Sequence, residues 1–160
     1  MKLITTCFLL FLFAFSGYAQ DLTCKDFRKG TFYIPIKSEK DTIYFYRAKD
    51  KSFEKSTINV EKGLKKFIVL RDLNKQVEWK NEVNNGEPMH QKIKWIDRCK
   101  YILTVDKNKQ KLDQNDLFIN ENGGLIIENV EIKGRCMKYK SSIKVNNGDK
   151  LHSFGFICKE

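Results

Sequence analysis

Alternation with a period of two runs through this chain from end to end and constrains its fold more than any other feature. Aromatic and β-branched residues recur at every second position in short runs: residues 27–36, 42–47 (TIYFYR), 53–60, 64–71, 76–83, 89–96, 99–105, 125–132, 135–145 and 151–158. Neighbouring side chains of a strand point to opposite faces, so each such run offers one apolar face to a core. Residues 76–83 show it cleanly, with Val77, Trp79 and Val83 on one face and Gln76, Glu78 and Glu82 on the other. Beyond the first twenty residues no stretch of ten or more carries a 3.6 period. The expectation is an all-β domain, an antiparallel meander of about 8–10 strands forming a small barrel or sandwich.

The middle of that domain is placed at residues 92–105, KIKWIDRCKYILTV. Two alternating segments meet there at a polar corner, Asp97-Arg98, with Trp95 and Tyr101 on either side and Cys99 beside the bend. Cys99, Tyr101, Leu103 and Val105 share a face. Residues 106–115 are polar and lysine-rich and read as a surface loop, and Leu117-Phe118-Ile119 fits either a short strand or one helical turn. Pro35 marks the end or the edge of the first strand.

The first nineteen residues carry an export signal: Lys2, an apolar run at 3–15, and the small residues Gly17 and Ala19 where a signal peptidase reads. Cleavage near Ala19 leaves residues 20–160 as a single β domain, secreted or periplasmic. Of five cysteines, Cys7 leaves with the signal. Cys24, Cys99, Cys136 and Cys158 remain, an even number in an exported chain, and imply two disulfides. Four cysteines allow three pairings. Cys24 with Cys99 and Cys136 with Cys158 is favoured, because the second pair brackets the final hairpin. No Cys-x-x-Cys spacing points to zinc.

The net charge is +10, which invites a nucleic-acid reading. Export argues against it, and so does the scarcity of arginine, the side chain best built for phosphate and base edges. A solvated lysine surface is expected, with an anionic envelope component (glycan or lipid headgroup) as the alternative partner. The aromatic residues concentrate in the strand runs and are read as core rather than as a stacking platform.

The best polar constellation is Arg71, Gln76 and Glu78. A turn at residues 72–75 would lay Arg71 across from Gln76, with Glu78 two places along on the same face as Phe67 and Val69. This is either a cross-strand ion pair or a polar anchor at the mouth of a ligand cavity, joined by Trp95 and Tyr101. VNNGEPMH (83–90) and VNNGDKLH (145–152) repeat one another. Asn85-Gly86 and Asn147-Gly148 predict two-residue hairpin turns, and both histidines, His90 and His152, then fall at one rim. Two histidines without a third ligand give no metal site. No Gly-x-Ser-x-Gly, His-Glu-x-x-His or P-loop pattern occurs, and no cofactor or catalytic residue is expected.

Three blocks, Cys24-x-x-Phe27-x-x-Gly30-x-Phe32, Arg71-x-x-x-x-Gln76-x-Glu78 and Trp95-x-x-x-Cys99-x-Tyr101-x-Leu103, resemble a family of short exported proteins abundant in Bacteroidetes-type bacteria. The resemblance covers residues 24–103. It implies that Cys24 pairs with Cys99 and that Arg71, Gln76 and Glu78 matter to the family, but it brings no function. A topoisomerase IV label carried by some members does not suit an exported chain of this length. Gly30-Thr31-Phe32 is also similar to the Gly-x-Trp opening of lipocalin-like (calycin) barrels, with Phe in place of Trp. In such a barrel a basic residue near the last strands, Arg135 or Lys159, would cover that ring.

The function expected is therefore non-catalytic binding of a small apolar ligand or an envelope component. A structural or interaction module with a filled core is the alternative, and a small envelope hydrolase a more remote one. No permanent membrane span and no nucleic-acid partner are expected.

Overall fold

Eight of the period-two segments close into one barrel. The computed structural model describes residues 21–36, 40–47, 52–145 and 150–160, and all statements about structure concern these residues. The strands are β1 (Gly30–Pro35), β2 (Lys40–Arg47), β3 (Ser52–Asn59), β4 (Lys66–Asp72), β5 (Lys75–Lys80), β6 (Met89–Trp95), β7 (Lys100–Val105), β8 (Leu125–Lys133), β9 (Cys136–Lys144) and β10 (Lys150–Lys159). Around the barrel the order is β1-β10-β9-β8-β7-β6-β5-β4, every neighbouring pair antiparallel, while β2 and β3 form a separate two-stranded sheet. The meander is thus interrupted once, by a hairpin that leaves after β1 and returns before β4. The export signal and the Asn147-Gly148 turn expected from the sequence lie outside the described residues.

Closure leaves one inward and one outward row per strand. The inward rows supply the buried strand residues apart from Ile68 on β4 and Cys158 on β10: Phe32 on β1, Val69 and Arg71 on β4, Gln76 on β5, Gln91 and Ile93 on β6. Tyr101, Leu103 and Val105 on β7, Ile127 on β8, Met137 and Ile143 on β9, and Ile157 on β10 complete them. Register holds these rows level. Trp95 faces Tyr101, Arg71 faces Gln76, and Gln76 faces Gln91.

The antiparallel order sorts the connections into two ends. At one end lie a 3-10 turn (Cys24–Phe27), the β4–β5 turn, the β6–β7 corner and the β8–β9 turn. That end is filled by Phe27, Phe32, Val69, Met137 and Ile157, with Phe27 stacked on Phe32 at 5.8 Å. Burying each of these side chains stabilises the fold by about 1.5–3 kcal/mol. The disulfides pair Cys24 with Cys99, tying the 3-10 turn to the corner, and Cys136 with Cys158, bridging directly opposed residues of β9 and β10.

Three local expectations need correction. The opening run at 27–36 does not begin as strand, because Phe27 ends the 3-10 turn and β1 starts at Gly30. The β5–β6 connection is no two-residue turn at Asn85-Gly86. Strand β5 stops at Lys80, and an eight-residue loop places Asn81, Asn84 and Gly86 at positive φ, with Asn85 Nδ2 donating to Lys80 O. Thirdly, a helix, α1 (Gln114–Glu121), includes Leu117-Phe118-Ile119 and takes the end of the predicted loop. Asp113 caps it, its Oδ1 accepting from Asp116 N at 2.8 Å while Asp116 Oδ2 accepts from Asp113 N. Gly123 and Gly124, both at positive φ, terminate it.

Candidate functional site

Arg71 is the centre of a polar network inside the barrel. Its place follows from the alternation of β4, which turns Phe67, Val69 and Arg71 inward and so carries a guanidinium into the core at 4 % exposure. A buried cation is costly unless its donors are paired. Arg71 Nε donates to Gln76 Oε1 at 2.9 Å, Nη1 to the Phe27 carbonyl at 2.8 Å and Nη2 to Tyr101 Oη at 2.9 Å. Its plane also lies 5.4 Å from the Phe32 ring and 4.9 Å from the Tyr101 ring. The basic group over Phe32 is therefore supplied from β4, where Arg135 and Lys159 were the residues expected.

All three hydrogen-bond acceptors of Arg71 are neutral. The nearest carboxylate in the network, Glu78, is reached through Gln76, whose Nε2 donates to Glu78 Oε1 at 2.7 Å and to Gln91 Oε1 at 2.6 Å. Burial pushes the Glu78 carboxyl above its ordinary value, and the positive charge of Arg71 and the Gln76 hydrogen bond pull only part of the way back. Burial likewise raises the Tyr101 phenol, against the pull of Arg71. Trp95 completes the group at its edge. Its ring is 4.7 Å from that of Tyr101, its Nε1 donates to Leu73 O, and Arg28 lies 4.3 Å over its outer face.

All five residues singled out in the sequence are thus brought together, but at the filled end and not at the mouth of a cavity. The cavity is at the other end of the barrel, beside α1. It measures about 160 Å³ and is lined by Phe118 and Ile119 of α1, Leu125 of β8, Ser141 and Ile143 of β9, and Leu151 and Ser153 of β10, among others. Its walls are mostly apolar. Its polar residues are Asn115, Ser142, His152 and a pair of serines, Ser141 and Ser153, facing across β9 and β10, whose Oγ atoms share a hydrogen bond of 2.8 Å.

Side-chain volume accounts for the cavity. The inward positions of β9 and β10 run Met137, Tyr139, Ser141, Ile143 and Leu151, Ser153, Gly155, Ile157, so three small residues interrupt two rows of large ones. Tyr139 lies against Gly155, where an added Cβ would come within 2.5 Å of its Cζ. Among the described residues no large side chain fills the space beside Ser141 and Ser153 in this way. Helix α1 roofs this end because Asn120 imitates a strand partner: its Oδ1 accepts from Val105 N at 2.9 Å and its Nδ2 donates to Val105 O at 3.0 Å. Phe118 is thereby held buried against the barrel.

Of the lining residues the sequence singled out His152, at the rim it shares with His90, but not as part of a cavity; two serines and a glycine at inward positions of otherwise large-residue strands were a usable signal. Strand direction does put His90 and His152, at the starts of β6 and β10, at the cavity's end of the barrel. Among the described residues no three of His, Cys, Asp or Glu gather where they could hold a metal ion. No helix among them is long and apolar enough to cross a membrane. Compared with family models, with curated proteins and with solved structures, the chain matches none.

Proposed function

We propose that this chain is an exported, non-catalytic binding protein that holds a small apolar ligand, or the apolar end of an envelope component, in one end of its barrel. The observation that carries this reading is the cavity beside α1, its surface mostly apolar, with Asn115, His152 and the serines of β9 and β10 as its polar groups. Ligand sites commonly combine such walls with a few polar groups that fix orientation. Its size limits the occupant. A dry cavity of about 150 Å³ takes a single benzene ring, so the site suits one ring or a short alkyl segment and excludes a bulky lipid held whole. The two disulfides support a working place in an oxidising, extracytoplasmic compartment, in line with the export signal read in the sequence. The lipocalin-like comparison draws support from the closed barrel with Gly30-Thr31-Phe32 at the start of β1, while the cation over Phe32, Arg71 of β4, departs from the last-strand position that comparison calls for.

An amide-detected NMR titration with benzene and with hexanol tests the reading. Saturable shifts at Phe118, Leu125, Ile143 and Leu151 are expected, and an Ile143→Trp variant that fills the space should lose them. Absence of saturable shifts in the unaltered chain would instead favour a structural or interaction module with a filled core. The tight packing at the other end, where Phe27, Phe32, Val69, Met137 and Ile157 are each 2 % exposed or less, favours that second reading.

A further inference from the structure

The end of the barrel remote from the cavity exposes apolar side chains on two of its connections and at the irregularity of β8. Leu73 in the β4–β5 turn is 56 % exposed, Ile96 at the β6–β7 corner 51 % and Val130 in β8 50 %. They belong to one surface. Trp95, next to Ile96, donates its Nε1 hydrogen to the carbonyl of Leu73, and Asn129, next to Val130, donates its backbone N–H to Cys99 O beyond the same corner. The irregularity in β8 falls between Asn129 and Glu131 and so presents Val130 itself. The Cys24–Cys99 disulfide and the Arg28–Trp95 stack hold the corner from beneath.

Charge is distributed over the same connections in a consistent order. Each apolar residue is followed by an exposed cation: Lys75 after Leu73, Arg98 after Ile96, and Lys133 and Arg135 after Val130. Among the described residues these four make no ion pair. Several acids nearby accept local backbone hydrogen bonds or pair with other cations, while staying partly or fully exposed. Asp72 accepts from Leu73 N at 2.9 Å and pairs with Lys29, Asp97 accepts from Cys99 N at 2.7 Å, and Asp26 accepts from Thr23 N at 2.8 Å. Glu160 pairs with Lys66, which leaves Asp97 and Glu131 as exposed carboxylates outside any ion pair among the described residues, against the four cations, so positive charge is in excess over these connections.

We propose that this end is an interfacial docking surface for a bilayer of anionic phospholipid, with Leu73, Ile96 and Val130 entering the headgroup–acyl boundary and Lys75, Arg98, Lys133 and Arg135 meeting the phosphates. Apolar residues on two turns and a strand bulge, interleaved with exposed cations, suit a fluid anionic surface, whereas a folded protein partner would be met by a shaped groove. Peripheral binding of this kind draws on buried apolar area and electrostatic attraction together. It also orients the molecule, since the cavity then faces away from the bilayer.

Co-sedimentation of the exported chain with vesicles tests this at low salt. Vesicles of equal parts phosphatidylglycerol and phosphatidylcholine should bind the protein, and pure phosphatidylcholine vesicles should not. Each cation contributes about fivefold near an anionic surface, so Lys75→Ser with Arg98→Ser should weaken binding by about 25-fold. Leu73→Ser with Ile96→Ser should weaken it at least tenfold, roughly, while Phe154→Ser, an equally exposed residue on the outer face of β10, should leave it unchanged. All five positions are exposed, so thermal melts should confirm intact folds. The proposal is overturned if mixed vesicles fail to bind, if both vesicle types bind equally, or if Phe154→Ser weakens binding as much as the turn variants.

Discussion

Glu78 concentrates the electrostatic tension of the interior in one carboxyl group. Its value is raised because burial disfavours the charged form more than Arg71 and Gln76 favour it. A carboxyl raised on folding contributes its stability below the unfolded value and loses it as pH rises through the folded value. Glu78→Gln keeps an acceptor for Gln76 Nε2 and removes the charge. The variant should match the parent in acid and become the more stable of the two as pH rises towards neutrality, read by urea denaturation across that range. A parent that gains on the variant with rising pH would show that the Arg71–Glu78 attraction dominates instead. The sequence made this group legible through spacing alone. Arg71, Gln76 and Glu78 share a face by period two, with a turn at residues 72–75 between them. It did not show that the face points inward, because polar residues in an alternating run are ordinarily the solvent row. Nor could it show Phe27 O as a partner, since a backbone acceptor leaves no trace in residue type.

At the scale of elements, the strands were legible and their ends were not. Alternation marks where a strand can run, but β5 stops at Lys80 while the pattern continues to Val83. Helix α1 escaped for a related reason: eight residues with three adjacent apolar side chains show no periodicity, and its evidence lay in the caps, Asp113 with Asp116 before it and two glycines after it. The second of those glycines carries a sharp constraint. Gly124 has φ +90°, and a Cβ there would meet Leu103 O at 2.6 Å and Ile102 Cγ2 at 2.5 Å. Gly124→Ala should therefore cost about 2 kcal/mol or more, combining strain with a backbone clash. Gly134→Ala is the control, because the site has positive φ but open space around it. It should cost about 1 kcal/mol. Equal losses for the two in chemical denaturation would remove the argument that α1 is seated by close approach to β7.

For the whole molecule, the two bridges matter unequally. Cys24–Cys99 spans 75 residues and Cys136–Cys158 spans 22. On the loop-entropy account they stabilise by about 4 and about 3 kcal/mol respectively. Serine pairs at each bridge, compared in urea, should rank in that order, and the reverse order would locate the stabilisation in strain or local packing rather than in chain entropy. Both pairings agree with those favoured from the sequence, where an even cysteine count and the bracketing of the last hairpin pointed to them. The barrel itself was foreseen only as one of two all-β forms, because pairing of β1 with β10 joins residues far apart in the chain and leaves no local signature. The excursion of β2 and β3 was not foreseen either, as their alternation reads like that of their neighbours.

A barrel filled at one end and vacant at the other is the central claim, and xenon under pressure reads it directly in a crystal. The account predicts a xenon site among Phe118, Leu125, Ile143 and Leu151 and none among Phe27, Phe32 and Val69. A crystal with no xenon beside α1, or with xenon only at the Phe27 end, would contradict it.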